Sequence, residues 1–306
     1  MTLLVIALCC TAALGYLAQS VGLCMVRGVN EWLNGKPEFL IAILLAGTTA
    51  WVAAAIAYFA GLPLPFRTFS ADGWVVLGGL LFGLGTAFNQ GCGVSTLSKL
   101  ARGQLQMTST LTGWVIGWCI LAQWPIPQHP GELEPPSVIT FSTLAALSLG
   151  LSLWALLGDQ KRKKLWFSMM GIGLLAGLLF LYERSWPPSG FLHNLSAALL
   201  HNDNLSWPTT PQYMLLLALL GGMAFSAWRT KHFDLYIPHW HSWLIHLTAG
   251  TLMGLGASLA LGGNDSQLLI ALPAFSPAGA LAITTMVLGI FLGLKARKVW
   301  VQPQPI

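Results

Sequence analysis

Long apolar stretches with little polar punctuation recur along this chain, and their lengths set the first reading. Nine runs, at residues 3–19, 39–61, 74–88, 105–124, 138–157, 165–182, 212–228, 244–261 and 278–294, are long enough to cross or nearly cross a bilayer as helices. The third and eighth stop early at glycine-rich stretches. The third ends in Phe88-Asn89-Gln90-Gly91-Cys92-Gly93-Val94-Ser95, after glycines at 79, 83 and 85, and is followed by a short segment carrying Lys99 and Arg102. This pattern predicts a membrane helix that stops, exposes backbone and restarts. Irregular backbone at membrane depth is tolerated only where protein buries it or where it lines a wet cavity. A restarted helix would point free N–H groups and the positive end of its dipole at an anion beside Cys92. The same residues also read as a glycine-packed helix end with an inert thiol.

A second such place follows the first run, where Gly22-Leu23-Cys24 precedes Arg27 and a piece ending near Leu33 that is too short to span. It reads as a re-entrant or interfacial turn of helix. The segment 189–200, between the sixth and seventh runs, stands in the corresponding place later in the chain.

Composition agrees with a polytopic membrane protein. Of 306 residues, 55% are hydrophobic and 8% charged, too few charges to solvate a globular surface. The first run lacks the basic residues that precede a secretory signal core and is expected to be the first membrane helix. With the N-terminus outside, thirteen lysines and arginines fall on the cytoplasmic side and only Arg67 and Arg184 on the other, so the C-terminus is expected in the cytoplasm of a bacterial inner membrane. The net charge of +5 is then a topology signal with lipid contact, and no nucleic acid is needed to explain it. Tryptophans at the run ends, among them Trp32, Trp74, Trp124, Trp166, Trp186, Trp207, Trp228, Trp240, Trp243 and Trp300, read as interfacial belts. Five cysteines, odd in number and mostly inside apolar runs, do not form a disulfide framework; Cys9, Cys10 and Cys119 read as packing residues.

The chain repeats its own plan. Gly79, Gly83 and Gly85 match Gly250, Gly254 and Gly256 at a constant offset that continues to Gly91 against Gly262 and Ser95 against Ser266, and that sets Gly263 against Cys92. The halves are read as residues 1–125 and 161–306, joined by a linker with one connecting helix at 126–160. An even number of crossings plus that single helix inverts the second half. The expected fold is therefore an all-α polytopic membrane protein of about nine transmembrane helices in two inverted repeats with re-entrant or broken helices, a transporter signature.

The stretch from Gly79 through Gly-Cys-Gly-x-Ser to Gly113, the early Gly22-Leu23-Cys24 with Arg27, and the run from Gly250 through Gly262 resemble the YeeE/YedE family of sulphur-transport membrane proteins. The resemblance implies an inner-membrane transporter, best known for thiosulfate, whose cysteines hand the anion inward. Cys24 and Cys92 carry over. The usual second-half cysteine does not, because Gly263, followed by Asn264 and Asp265, stands there. The expected path is Cys24, Cys92, Gly91, Gly93 and Ser95, with Gly262, Gly263, Asn264 and Asp265 beyond, and with a substrate preference shifted away from sulphur contacts along the whole route. Asp265 reads equally as a proton-coupling carboxylate or as a cap of the following half-helix. His239, His241 and His246 lack cysteine or carboxylate partners at ligand spacing and read as interfacial, so no metal is expected; neither is a cofactor or a catalytic residue. The partners expected are a small inorganic sulphur anion, the lipid bilayer and a cytoplasmic sulphur-carrier protein. Two alternatives are a membrane thiol protein that accepts sulphur on Cys92 as a persulfide and a non-transporting membrane subunit.

The charge asymmetry makes a direct prediction. A reporter fused after Lys298 should behave as cytoplasmic and one inserted at Glu132 as external; the reverse pattern at both points would overturn the orientation.

Overall fold

The computed structural model describes residues 1–124, 131–201 and 207–301. Within them there is no strand, only isolated bridges between Phe69 and Glu132 and between Gln104 and Tyr236. The helices in order are α1 (Thr2–Val21), α2 (Met25–Leu33), α3 (Glu38–Leu44), α4 (Ala50–Ala60), α5 (Gly73–Asn89), α6 (Gly93–Ala101), α7 (Met107–Ala122), α8 (Val138–Leu156), α9 (Gln160–Tyr182), α10 (Pro188–His201), α11 (Thr210–Arg229), α12 (Trp240–Leu259), the short α13 (Asn264–Ser266) and α14 (Pro277–Val301).

The nine apolar runs all appear. Among the described residues seven helical stretches are long and apolar enough to cross a membrane. An eighth forms if α12 and the segment Asn264–Ala271, bent by 45°, count as one broken span. The remaining run is α7, whose 16 residues fall short of a full bilayer core at 1.5 Å per residue. The expected short pieces are α2 and α10. The loop expected at 125–136 is described only from residue 131, where Ser70 N–H donates to the Gly131 carbonyl and Leu133 N–H to the Thr68 carbonyl; residues 125–130 lie outside the described part.

Two sequence expectations need correction. The run 39–61 is interrupted by a 3-10 turn at Ala46–Thr49. There the chain passes so near α9 that a Cβ on Gly173 would land on the Ala46 carbonyl, and Thr49 Oγ1 donates to the Met170 carbonyl at 3.2 Å. A tighter turn accommodates that approach. Trp166 and Trp186 are core residues and not belts: both are buried, with Trp166 Nε1 donating to Glu38 Oε1 and Trp186 packed on Phe180.

Small residues decide which helices meet at the centre, as expected where lipid removes the hydrophobic drive for helix association. α5 and α12 cross directly, with Gly78 set against the Gly256 carbonyl and Gly85 against that of Ala249. α7 packs on α12 through Gly113, Gly117, Gly250 and Gly254, and α14 packs on α5 through Gly79, Gly83 and Gly289. The two broken helices are therefore the inner pair, each covered by an unbroken partner. Outward faces carry exposed Leu3, Ile6, Leu149, Leu153, Leu217 and Phe225, which suits lipid.

This packing is testable. A Cβ on Gly250 would strike the backbone of Thr110, whereas one on Gly221 meets nothing within 4 Å. Gly250→Ala should therefore lower stability by about 1–3 kcal/mol, as overpacking does, while Gly221→Ala leaves the melting curve of the detergent-solubilised protein in place. Equal melting temperatures for both variants would contradict the packing.

Candidate functional site

The site is built at the break between α5 and α6. The last turn of α5 closes with Gln90 in the left-handed conformation (φ 57°) and Gly91 N–H donating to the Thr86 carbonyl at 3.0 Å. Cys92 follows as the extended N-cap of α6 (φ −78°, ψ −179°), and its carbonyl accepts from Thr96 N–H at 2.8 Å. Asn89, fully buried, locks this geometry. Its Nδ2 donates to the Gly91 carbonyl and to Thr96 Oγ1, each at 2.8 Å. Its Oδ1 accepts from Thr110 Oγ1 of α7 at 2.7 Å and pairs with His246 Nδ1 of α12 at 2.8 Å. One side chain thus ties four helices to the break and satisfies backbone that lipid could not.

The break between α1 and α2 arrives at the same place. α1 ends on left-handed Gly22 (φ 65°), and Cys24 is the extended N-cap of α2. The Cys24 side chain is a near neighbour of the Cys92 side chain, beside the first turn of α2. Ser95 Oγ donates to the Cys92 carbonyl at 3.1 Å and lies 3.6 Å from Cys92 Sγ. Two helix N-termini therefore converge on a pair of soft donors, an arrangement suited to an anion that carries sulphur. On the far side of the pair, Lys99 Nζ donates to the Gln90 carbonyl at 2.9 Å, with Arg102 and Arg297 near it.

The break after α12 copies the first one at an offset of 171 residues, as from Gly91 to Gly262. Leu261 is left-handed (φ 61°) as Gln90 is, and Gly262 N–H donates to the Ala257 carbonyl at 2.8 Å as Gly91 does to Thr86. Gly263 (φ −76°, ψ 176°) has the backbone of Cys92, and its carbonyl accepts from Gln267 N–H at 3.0 Å. The side chains differ. A Cβ on Gly263 would lie 2.7 Å from Asp265 Oδ1 and 3.0 Å from the Trp114 ring, so the carboxyl fills the space of the missing side chain. Asp265 Oδ2 accepts from Ser189 N–H at the start of α10 and Oδ1 from Ser266 N–H, both at 3.0 Å. Ser189 Oγ and Ser266 Oγ pair at 2.6 Å. Asn264 Oδ1 accepts from Gly93 N–H of α6 at 3.3 Å. Asn264 thus reaches α6, and Asp265 reaches α10 as well as the Ser266 N–H of its own turn.

The expected path residues are thus brought to one region. Cys24 and Ser95 neighbour Cys92, Asn264 reaches Gly93 beside it, and Gly262 and Gly263 keep to the second turn, next to Ser266 and Asp265. A small cavity of about 30 Å³ is lined by Cys92, Asn264 and Asp265. Beyond the Asp265 turn a much larger cavity of about 610 Å³ is lined by Ser189, Ser266, Gly262, His193, Trp118 and Phe69. It shares Ser266, Gly190 and Leu261 with an adjoining cavity of about 210 Å³ that reaches Arg67 and Arg184. Partial burial, and then the Arg67 charge, hold the Arg184 guanidinium below its ordinary value, while Glu132, paired with Arg67 at 3.3 Å, opposes them.

Sequence reasoning missed Asn89, Thr110, Ser189 and His246 as site residues. His239 and His241 are exposed as expected, but His246 is buried and bonded to Asn89. An ionisable side chain inside an apolar run was the available signal. No cluster of three metal-ligating side chains occurs among the described residues.

The Sulphur transport family profile matches residues 22–160 and again 158–292. The chain is also similar to the thiosulfate transporter TsuA of Escherichia coli (strain K12), 22% identical over 342 residues that cover 97% of this chain and 95% of that protein. Two successive profile matches, meeting between the two copies of the broken-helix turn, cover nearly the whole sequence, and the chain belongs to the Sulphur transport family of membrane transporters.

Proposed function

We propose that this protein takes up a small sulphur-containing anion across a bacterial inner membrane, with thiosulfate the first substrate to test, and passes it by the Cys92 and Cys24 thiols. The observation that supports this reading most is the meeting of two N-cap cysteines at two convergent helix starts. Each thiol offers a soft donor, and each helix start offers backbone N–H groups and a favourable dipole to negative charge. The name of the TsuA relative supports thiosulfate as the substrate class.

The face bearing Arg67 and Arg184 is taken as external and that bearing Lys99, Arg102 and Arg297 as cytoplasmic, in line with the lysine and arginine count. On that orientation the external arginines line the cavity of about 210 Å³ that adjoins the large one and attract an anion from solution. The cytoplasmic cations stand beyond the thiol pair and favour release on that side, where a sulphur-carrier protein would receive the product. The opposed breaks at Cys92 and Gly263 support an inverted repeat with its site where the two halves meet.

The persulfide alternative requires an activating base and an acceptor of the transferred sulphur. Membership of a transporter family argues for movement of the intact anion.

Uptake of radiolabelled thiosulfate into proteoliposomes tests this reading. Cys92→Ala should reduce uptake on the order of tenfold or more, since a hydrogen bond to a charged group is worth about 1.5–3 kcal/mol. Arg184→Gln should raise KM, and the effect should shrink at high salt because the residue acts by an exposed charge. Full uptake by well-inserted Cys92→Ala protein would remove the thiol path.

A further inference from the structure

The partition between the large cavity and Cys92 is made of acceptor groups seated on helix starts. Asp265, only 3% exposed, gives one carboxyl oxygen to Ser189 N–H of α10 and the other to Ser266 N–H of its own turn. Both oxygens accept backbone N–H groups. Asn264 Oδ1 takes Gly93 N–H, the first donor of α6 beside Cys92. The Ser189–Ser266 hydroxyl pair closes the same wall on the side of the large cavity. Trp114, fully buried, is wedged between the turns, within 3.0 Å of where a Cβ on either Gly93 or Gly263 would stand, and its Nε1 has no hydrogen-bond partner.

Volumes give the consequence. The space that Cys92 shares with Asn264 and Asp265 is about 30 Å³, one water's share of liquid volume, while the space on the other side of the turn is about 610 Å³. The Asn264–Asp265 turn and its Ser266 neighbour stand between the two spaces, since Asn264 and Asp265 line the small one and Ser266 the large one. The donors an anion would bind on the way are those that Asn264 and Asp265 already hold.

We propose that Asp265 is a tethered stand-in for the transported anion: its carboxylate occupies the N–H donors at the start of α10 and of the 264–266 turn, closes the outer approach to Cys92, and is displaced by the anion that passes. This rests on the reading of Cys92 as the inner binding position. It also assigns Asp265 a selecting role. A tethered carboxylate competes at high effective concentration, so an anion passes only if it binds those donors better than the side chain does. The requirement favours an oxyanion with at least two free acceptor oxygens, one for each donor. It also explains the chemistry of the second break, where the carboxyl fills the position that a Gly263 side chain would take.

Thiol labelling tests the proposal without measuring transport. In a chain with Cys9, Cys10 and Cys119 replaced by serine, Cys92 is labelled from outside with two membrane-impermeant methanethiosulfonates of similar size, one bearing a sulfonate and one a quaternary ammonium, and the adduct on the Cys92 peptide is followed by mass spectrometry. Asp265→Asn removes the charge and leaves a single acceptor oxygen. Labelling by the anionic reagent should rise on the order of tenfold, the equivalent of one charge-assisted hydrogen bond, and labelling by the cationic reagent much less. Asp265→Ser should shift the ratio in the same direction, which guards against misfolding of one variant. Ser266→Ala, which opens the hydroxyl pair and keeps the carboxylate, should leave the anionic reagent the slower one. An unchanged ratio, equal acceleration of both reagents, or no labelling of Cys92 in any variant would overturn the proposal. Failure of the thiol reading itself appears elsewhere, as undiminished uptake in Cys92→Ala.

Discussion

A helix that stops inside a bilayer leaves carbonyl and N–H groups that lipid cannot hydrogen-bond, each costing several kcal/mol if unmet. Much of this structure answers that constraint. Asn89 satisfies the break after α5 with four contacts, drawn from its own turn, from α6, from α7 and from α12. The glycine crossings of α5 with α12 and of α7 with α12 bring those helices near enough for one short amide to reach all of them. The break can then face inward, because its carbonyls and the helix ends around it are already paired, and its Gly93 N–H goes to Asn264 of the second turn.

The same backbone device, used twice, carries two different chemistries. At the first copy the N-cap is a thiol, matched by a second thiol from the start of α2, and the pair offers soft donors. At the second copy the N-cap is Gly263, and the Asp265 carboxyl folds back over it to the start of α10. Gln90 and Leu261, Cys92 and Gly263, and the hydrogen bonds around them match at an offset of 171 residues, while Gly262 (φ 139°) and the π-helical turn Gln267–Ala271 set the second copy apart from the first. A scaffold of this kind can change what it recognises without changing how it is built, since the backbone of each turn is held by groups outside the substituted position.

The membrane class, the apolar runs and both glycine breaks were legible in the sequence because each is a local signal: run length, charge scarcity and glycine spacing need no knowledge of neighbours. The equivalence of Cys92 and Gly263 was legible for the same reason, as a constant offset. What escaped depends on contacts between distant segments. The 3-10 turn at Ala46–Thr49 follows from the approach of Gly173, about 125 residues away in the chain. His246 lies beside Asn89 only because α12 crosses α5, so its sequence neighbours Trp240 and Trp243 suggested an interface instead. Asp265 accepts the Ser189 N–H at the start of α10 as well as that of Ser266, and the first of these contacts is one that no pattern within 264–271 could reveal.

The central claim is that Cys24 and Cys92, from two separate breaks, form one thiol site on the anion's route. Its most direct test is oxidative crosslinking in a chain that keeps only these two cysteines, reconstituted in proteoliposomes. Copper-phenanthroline should join them into a single intramolecular disulfide, detected as loss of both free thiols and a peptide crosslink, and thiosulfate uptake should stop and return with dithiothreitol. A crosslink that forms and leaves uptake untouched, or two thiols that remain free under oxidation, would contradict the account.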